Sequence, residues 1–85
     1  MILSARRTGV VPKGGAFARL SLEDLAVPVV RACLADAGGP AVDEVICANA
    51  IGPGGNPARR IALAAGLPER VAGLTIDRQC AGGLD

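Results

Sequence analysis

Three cysteines, Cys33, Cys47 and Cys80, are the side chains of this sequence best suited to nucleophilic chemistry. Leu74-Thr75-Ile76 begins a predicted strand that reaches about Gln79, and Cys80 follows directly. Ala81-Gly82-Gly83 comes next as the turn into a helix, so Cys80 is predicted at the junction of a strand and a helix. A helix N-terminus offers free backbone N–H groups and a positive dipole end, and both favour a thiolate beside it. This position makes Cys80 a candidate for a reactive nucleophile.

The alternative for Cys80 is a small buried core residue, since free cysteine often has that role, and spacing alone does not separate the two. Gly82 and Gly83 lack side-chain bulk, which would let a large acyl group or another backbone come close to the sulfur. Cys33 and Cys47 lie on apolar stretches where a small hydrophobic residue fits, so structural roles are predicted for both.

Composition excludes several other classes of function. An odd number of widely spaced cysteines and the absence of histidine fit neither a disulfide framework nor a zinc site, so no metal and a reducing compartment are predicted. A net charge of +1 and 1% aromatic residues argue against nucleic-acid or membrane-surface partners. No apolar run approaches the roughly 20 residues of a membrane span, so we expect a cytoplasmic protein.

The first half of the chain is predicted to form a strand and a helix. The apolar run Ile2–Ala5 predicts the strand, and Ser21 with Asp24 has the spacing of a capping box that opens the helix. Gly38-Gly39-Pro40 supplies the end of that helix, and Pro28 predicts a kink inside it. The apolar face has helical spacing and comprises Leu22, Leu25, Ala26, Val29, Val30, Cys33, Leu34 and Ala37.

The second half alternates strand, helix and strand. Glu44–Ile51 predicts a parallel strand, and Asn56 followed by Pro57 marks the start of a helix that ends at Gly66. A last strand begins at Leu74 and reaches about Gln79, and residues 81–85 begin a third helix. The Gly52–Gly55 loop lacks the pattern of a phosphate site, and Arg59 is expected to support the fold rather than to bind an anion.

These elements predict an α/β fold: a βαβαβ unit of parallel strands, with the helices packed on one face of the sheet. The opposite face is expected to be bare and to need further chain to cover it. We therefore interpret residues 1–85 as one partial domain, truncated at the start of its third helix.

Three segments resemble the thiolase family. Asp77–Leu84 is similar to the motif that carries the thiolase nucleophile, and Ser4–Thr8 followed by Gly14-Gly15 is similar to the opening of thiolases. Gly55–Arg59 followed by Ala64–Pro68 resembles the Gly-Gln-Asn-Pro-Ala-Arg segment and its continuation. The order and separations agree over the whole chain, although Gly9, Gly55 and Gly82 stand where thiolases usually have proline, glutamine and serine.

The resemblance implies acyl transfer between acyl-CoA thioesters, in fatty acid metabolism, with Cys80 as the covalent acyl acceptor and its backbone N–H in the oxyanion site. It implies acyl-CoA as substrate, no bound cofactor, and a homo-oligomer with Leu74–Gln79 at the dimer contact. The family also uses a histidine and a second cysteine from later in the chain, so we expect these 85 residues alone not to turn over substrate. The alternatives are a related condensing enzyme such as a ketoacyl synthase, and a non-catalytic truncated product or interaction module.

Overall fold

The computed structural model describes residues 1–84. It divides into two compact units, Met1–Ala41 and a second that begins at Val42. The order of elements is α1 (Leu22–Asp36), β1 (Glu44–Asn49), α2 (Pro57–Ala64), β2 (Ala72–Asp77) and a 3-10 helix at Gln79–Leu84. The α/β class with parallel strands is therefore confirmed.

The first unit is built on α1, whose two ends are those predicted from local residues. The Ser21 hydroxyl accepts from the Asp24 N–H at 3.0 Å, and the Asp24 carboxylate accepts from the Ser21 N–H at 2.9 Å. These two bonds satisfy backbone donors that a helix leaves unpaired at its start. The helix ends at Asp36 and is followed by Gly38 with φ 84°. It runs through Pro28 without interruption.

The predicted apolar face of α1 is the covered side of that helix. All eight of its residues are half-buried, while Ser21, Asp24, Arg31, Ala35 and Asp36 are exposed. No residue of α1 is fully buried. The predicted face therefore lies within the half-buried surface of this segment, which also includes Glu23, Val27 and Ala32.

The strand predicted at Ile2–Ala5 is wrong for the described structure, where residues 1–12 have no regular secondary structure. A strand needs a neighbour to satisfy its backbone groups, and an apolar run cannot show whether a neighbour exists. Ile2 and Leu3 are 88% and 62% exposed. The segment is held by side chains instead: Ser4 and Arg6 both donate to the carboxylate of Asp36 in α1.

The second unit contains a parallel strand pair joined by α2. Register runs from Glu44 opposite Ala72 to Asn49 opposite Asp77. Both predicted strands are present, and each ends two residues before its predicted end, at Asn49 rather than Ile51 and at Asp77 rather than Gln79.

Helix α2 covers one face of the strand pair and supplies most of the fully buried residues. Within residues 1–84, the buried apolar side chains are Pro57, Ala58, Ile61 and Ala62 of α2 and Val71 just before β2. On the other face, the register partners Ile46 and Leu74 are 56% and 44% exposed. The face away from α2 is thus exposed at these two positions, as expected, although Gly82 packs on Ala48 of the same face. The placement of α1 on the same face as α2 stays a prediction.

None of the helices within residues 1–84 combines the length and the apolar character needed to cross a bilayer.

Candidate functional site

Cys80 lies at the carboxyl end of the strand pair, as predicted. β2 ends at Asp77, and the chain turns at once into the 3-10 helix Gln79–Leu84, which we call the Cys80 turn. Its Ala81 N–H donates to the Arg78 carbonyl at 3.0 Å. The Cys80 residue is exposed and its thiol is free. Within the described residues Cys80 is therefore not buried, and its role as a nucleophile stays a prediction.

The helix at Cys80 differs from the expected one, because it contains Cys80 instead of following it. It is a six-residue 3-10 helix, which begins two residues earlier than predicted, at Gln79. A 3-10 helix has poorer hydrogen-bond alignment than an α-helix, so it builds a smaller dipole. Activation of the thiol by a helix N-terminus stays a prediction, and Asp85, the last residue of the predicted helix, lies outside the described residues.

Gln79 has a left-handed backbone conformation, with φ 50°. Gln79 is the only non-glycine residue among residues 1–84 that has a positive φ. This conformation crowds Cβ against the following carbonyl and costs an ordinary residue about 1–2 kcal/mol. It also ends β2 before position 79, because strand backbone requires negative φ. The sharp bend before Cys80 is therefore made by a residue in a strained backbone conformation.

The two glycines after Cys80 have different surroundings. Gly82 is buried, and a Cβ built on it would lie 2.8 Å from the Ala48 Cβ of β1. A Cβ built on Gly83 would meet nothing within 4 Å. The expectation that these glycines let an acyl group or another backbone come close holds for Gly82 in its second form, because the missing side chain makes room for β1. Gly83 alone borders open space.

Cys47 differs from Cys80 in its surroundings. It is half-buried in β1, and its Sγ lies 3.4 Å from the Ala48 carbonyl oxygen, to which the thiol donates. Burial raises the pKa of the Cys47 thiol, because the thiolate loses hydration inside the protein. Cys33 is half-buried in α1. These positions agree with the structural roles predicted for Cys33 and Cys47.

The start of α2 is closed to an anion by its own hydrogen bonds. The Arg59 N–H donates to the Asn56 side-chain oxygen at 3.2 Å, and the Ala58 N–H donates to the Thr75 hydroxyl at 3.2 Å. Pro57 has no N–H to offer. The backbone donors that could hold a phosphate are therefore occupied, as expected for an ordinary turn at Gly52–Gly55.

Arg59 supports the fold, as the sequence predicted. Its Nη1 donates to the Val71 carbonyl at 2.7 Å, and its side chain is half-buried. The bond ties α2 to the residue that precedes β2. Asn56 makes a second tie, because its Nδ2 donates to the Gly73 carbonyl at 2.9 Å.

In the first unit, Arg6 of the thiolase-like opening segment pairs with Asp36 of α1. Arg6 forms a two-pronged ion pair with Asp36, with its Nε at 2.6 Å and its Nη2 at 2.9 Å from the carboxylate oxygens. The hydrogen bond from Arg6 lowers the pKa of Asp36, and the same bond raises that of Arg6. Both side chains are exposed, so the pair fixes the segment rather than forming a reactive centre.

Three residues of this site escaped the sequence analysis: Gln79, Ala48 and Thr75. Gln79 and Thr75 continue the pattern of an ordinary strand end, and no local signal marks a positive φ on glutamine. In the sequence, nothing distinguishes Ala48 from other small residues of a strand. The glycine at position 82 was the one available signal, because a buried glycine often marks close approach of another backbone.

Among residues 1–84 no group of three or more histidine, cysteine, aspartate or glutamate side chains is placed to hold a metal ion.

Comparison with known proteins extends these observations over the whole chain. Residues 1–85 match the family model described as thiolase, N-terminal domain. A Bacillus subtilis (strain 168) protein, YhfS, provisionally described as an acetyl-CoA C-acetyltransferase, is 49% identical over 85 residues, which are 100% of this chain and 23% of that protein. An acetyl-CoA acetyltransferase of Cupriavidus necator is 41% identical over 88 residues, covering 99% of this chain and 22% of its own.

A solved structure is similar as well. The Acat5 thiolase of Ascaris suum, crystallised in complex with coenzyme A, superposes with a TM-score of 0.85 at 30% sequence identity, covering 95% of this chain and 22% of that one. The chain thus spans less than a quarter of the length of the relatives it matches. These matches favour a thiolase over the ketoacyl synthase alternative.

Proposed function

The chain belongs to the thiolase family, and from that premise we propose that the protein transfers acyl groups between acyl-CoA thioesters through a covalent intermediate on Cys80. The observation that carries the proposal is the exposed, free thiol of Cys80 immediately after β2, in a segment similar to the thiolase nucleophile motif. An exposed thiol at a strand end can meet a thioester carbonyl, whereas the half-buried Cys47 with its raised pKa is a poor candidate.

The proposed reaction has two halves. The Cys80 sulfur attacks the thioester carbonyl carbon, a new carbon–sulfur bond forms, the bond to CoA sulfur breaks, and the thiol proton leaves with CoA as its free thiol. In the second half an acceptor CoA species attacks the acyl-cysteine, takes the acyl group and restores the Cys80 thiol. The backbone N–H of Cys80 is proposed as a donor to the oxyanion in both halves.

The printed names of the relatives support the choice of substrate. Two are described as acetyl-CoA acetyltransferases, one of them provisionally, and a third was crystallised with coenzyme A. We therefore propose an acetyl or short acyl group on CoA as the substrate, with no bound cofactor. We also propose a cytoplasmic homo-oligomer, since all three thiols are free and the 44% exposed Leu74 lies in the segment proposed for dimer contact.

The test uses the protein as its own gene encodes it. The protein is incubated with acetyl-CoA and mapped by tandem mass spectrometry, with Cys80→Ala and Cys47→Ala variants alongside. We expect one acetyl group on the peptide that carries Cys80, in the wild type and in Cys47→Ala, and none at that position in Cys80→Ala. Acetyl transfer that persists in Cys80→Ala, or wild-type protein that stays unmodified, would refute the proposal.

A further inference from the structure

We propose that Ala48 and Gly82 are a size-matched pair of positioning residues that fixes the Cys80 turn against β1. The pairing is a statement about packing, and its significance for acyl transfer rests on the function proposed above. Neither residue touches a substrate in this proposal. They act through Cys80, two positions before Gly82.

Gly82 lies closer to Ala48 than a residue with a side chain could. A Cβ on Gly82 would lie 2.8 Å from the Ala48 Cβ and 3.6 Å from its Cα. Carbon atoms pack best at about 3.5–4.0 Å, so a methyl group at position 82 overlaps the methyl group of Ala48. The overlap involves a side chain of one atom on a strand, which has no rotamer through which to move away. The turn itself would have to move.

Gly82 lies over a register pair of the sheet. Ala48 and Ile76 are partners across β1 and β2, and the Gly82 Cβ position is 3.7 Å from the Ile76 carbonyl oxygen. Gly82 is also the buried residue of the Cys80 turn, whose other described residues are exposed. The glycine is therefore the point at which this turn packs on the strands.

The Cys80 turn is thus held on both sides of the cysteine. Before it, Gln79 imposes the bend through its φ of 50°, and after it Gly82 is pressed against Ala48. The turn between them is short and hydrogen-bonded, since the Ala81 N–H donates to the Arg78 carbonyl. A displacement at position 82 is transmitted to the Cys80 sulfur, because no flexible segment separates the two.

The pair also sets which residue position 82 can accept. A side chain at position 82 fits without displacing the turn only if position 48 gives up its methyl group. The serine that thiolases usually carry in place of Gly82 would collide with Ala48 in this chain. We infer that the identities of residues 48 and 82 depend on each other.

The test compares two neighbouring glycines. Gly82→Ala adds a methyl group against Ala48, while Gly83→Ala adds the same group where nothing lies within 4 Å, and neither glycine has positive φ. Alkylation of Cys80 by iodoacetamide is followed at one pH by peptide mapping, with Cys33 and Cys47 as internal references. In Gly82→Ala we expect the Cys80 alkylation rate to differ severalfold from that of the wild type, because the Cys80 turn is displaced. Gly83→Ala should match the wild type.

A double variant tests whether the overlap between residues 48 and 82 causes the change at Cys80. In the double variant Ala48→Gly/Gly82→Ala the methyl group has moved from one partner to the other, so the wild-type alkylation rate of Cys80 should return. If Gly82→Ala unfolds the second unit, Cys47 accelerates together with Cys80, and the double variant must then restore both rates. A Cys80 rate in Gly82→Ala equal to that in Gly83→Ala, or a double variant without rescue, overturns the inference.

Alkylation needs no CoA substrate, so this test is separate from that of the proposed function. If the alkylation rates of the variants are as expected but acetyl-CoA does not acetylate Cys80, the acyl-transfer function is rejected and the Ala48–Gly82 pair is kept. Acetylation of Cys80 that is the same in wild type and Gly82→Ala, together with unchanged alkylation, would reject the pair and keep the function.

Discussion

The Asn56 side chain accepts a hydrogen bond from the Thr75 hydroxyl, and this bond joins the first turn of α2 to the middle of β2. Each partner also caps the helix. Asn56 accepts from the Arg59 N–H and Thr75 accepts from the Ala58 N–H, so two side chains from different elements satisfy adjacent orphan donors. The arrangement locks α2 onto β2 by polar bonds at the edge of the buried core.

The first prediction concerns Thr75. Thr75→Val keeps the shape but removes the hydroxyl, so the N–H of Ala58, a residue with 0% exposure, loses its partner. We expect a loss of about 1–3 kcal/mol in the free energy of unfolding, measured by urea titration. Thr75→Ser is the control, because it retains the hydroxyl. Equal stability of Thr75→Val and wild type would show that the bond contributes nothing.

The second prediction concerns the close approach of α2 to β2. A Cβ on Gly73 would lie 2.5 Å from the Arg59 backbone N and 2.7 Å from its Cα. Backbone atoms cannot rotate away, so Gly73→Ala should push the helix from the strand and cost about 1–3 kcal/mol. The matched control is Gly54→Ala, whose new methyl group meets nothing within 4 Å. Thermal unfolding of the two variants measures the difference, and similar midpoints would contradict the packing described here.

The third prediction concerns the strained bend before Cys80. Gln79→Val places a β-branched residue at φ 50°, which such residues avoid, and should destabilise the protein by about 1–3 kcal/mol. Gln79→Asn should be neutral, because asparagine tolerates the left-handed region. The free energies of unfolding of both variants are compared with the wild type. A valine variant as stable as the asparagine variant would argue against a positive φ at this position.

The fourth prediction concerns pH. Arg6 lowers the pKa of Asp36 below its ordinary value of 3.8, so the pair stabilises the fold above the unfolded-state pKa. That contribution is lost as the pH falls through the lower folded-state pKa. In Arg6→Gln the NMR titration of the Asp36 carboxyl should shift upward, toward the ordinary value. Arg7→Gln should leave it in place, since Arg7 donates to the Thr8 carbonyl instead. An unchanged Asp36 titration in Arg6→Gln would exclude the pair in solution.

Helix ends were predictable because their causes are local. The capping box of Ser21 and Asp24 and the Asn56-Pro57 start of α2 each depend on residues within one turn of one another. The position of Cys80 at a strand end was predictable for the same reason, since an apolar run followed by small residues marks that junction. These features needed only the order of residues along the chain.

Strand pairing was predictable only in part, because it depends on a neighbour. The apolar run Ile2–Ala5 has the composition of a strand, yet in the first unit no strand pairs with it, and Ser4 and Arg6 attach to Asp36 instead. Glu44–Asn49 does pair, with Ala72–Asp77, and is a strand. Composition alone does not distinguish the two cases.

The sequence by itself determined the α/β class, both helices and their caps, the family, and Cys80 as the nucleophile candidate. Each of these depends on short contiguous segments of the chain. Only the tertiary structure decided what surrounds that cysteine. The bend at Gln79, the fit of Gly82 against Ala48 and the bond from Thr75 to Asn56 arise where elements meet. Residues that are distant along the chain become neighbours only on folding, and the close packing that follows sets which atoms fit.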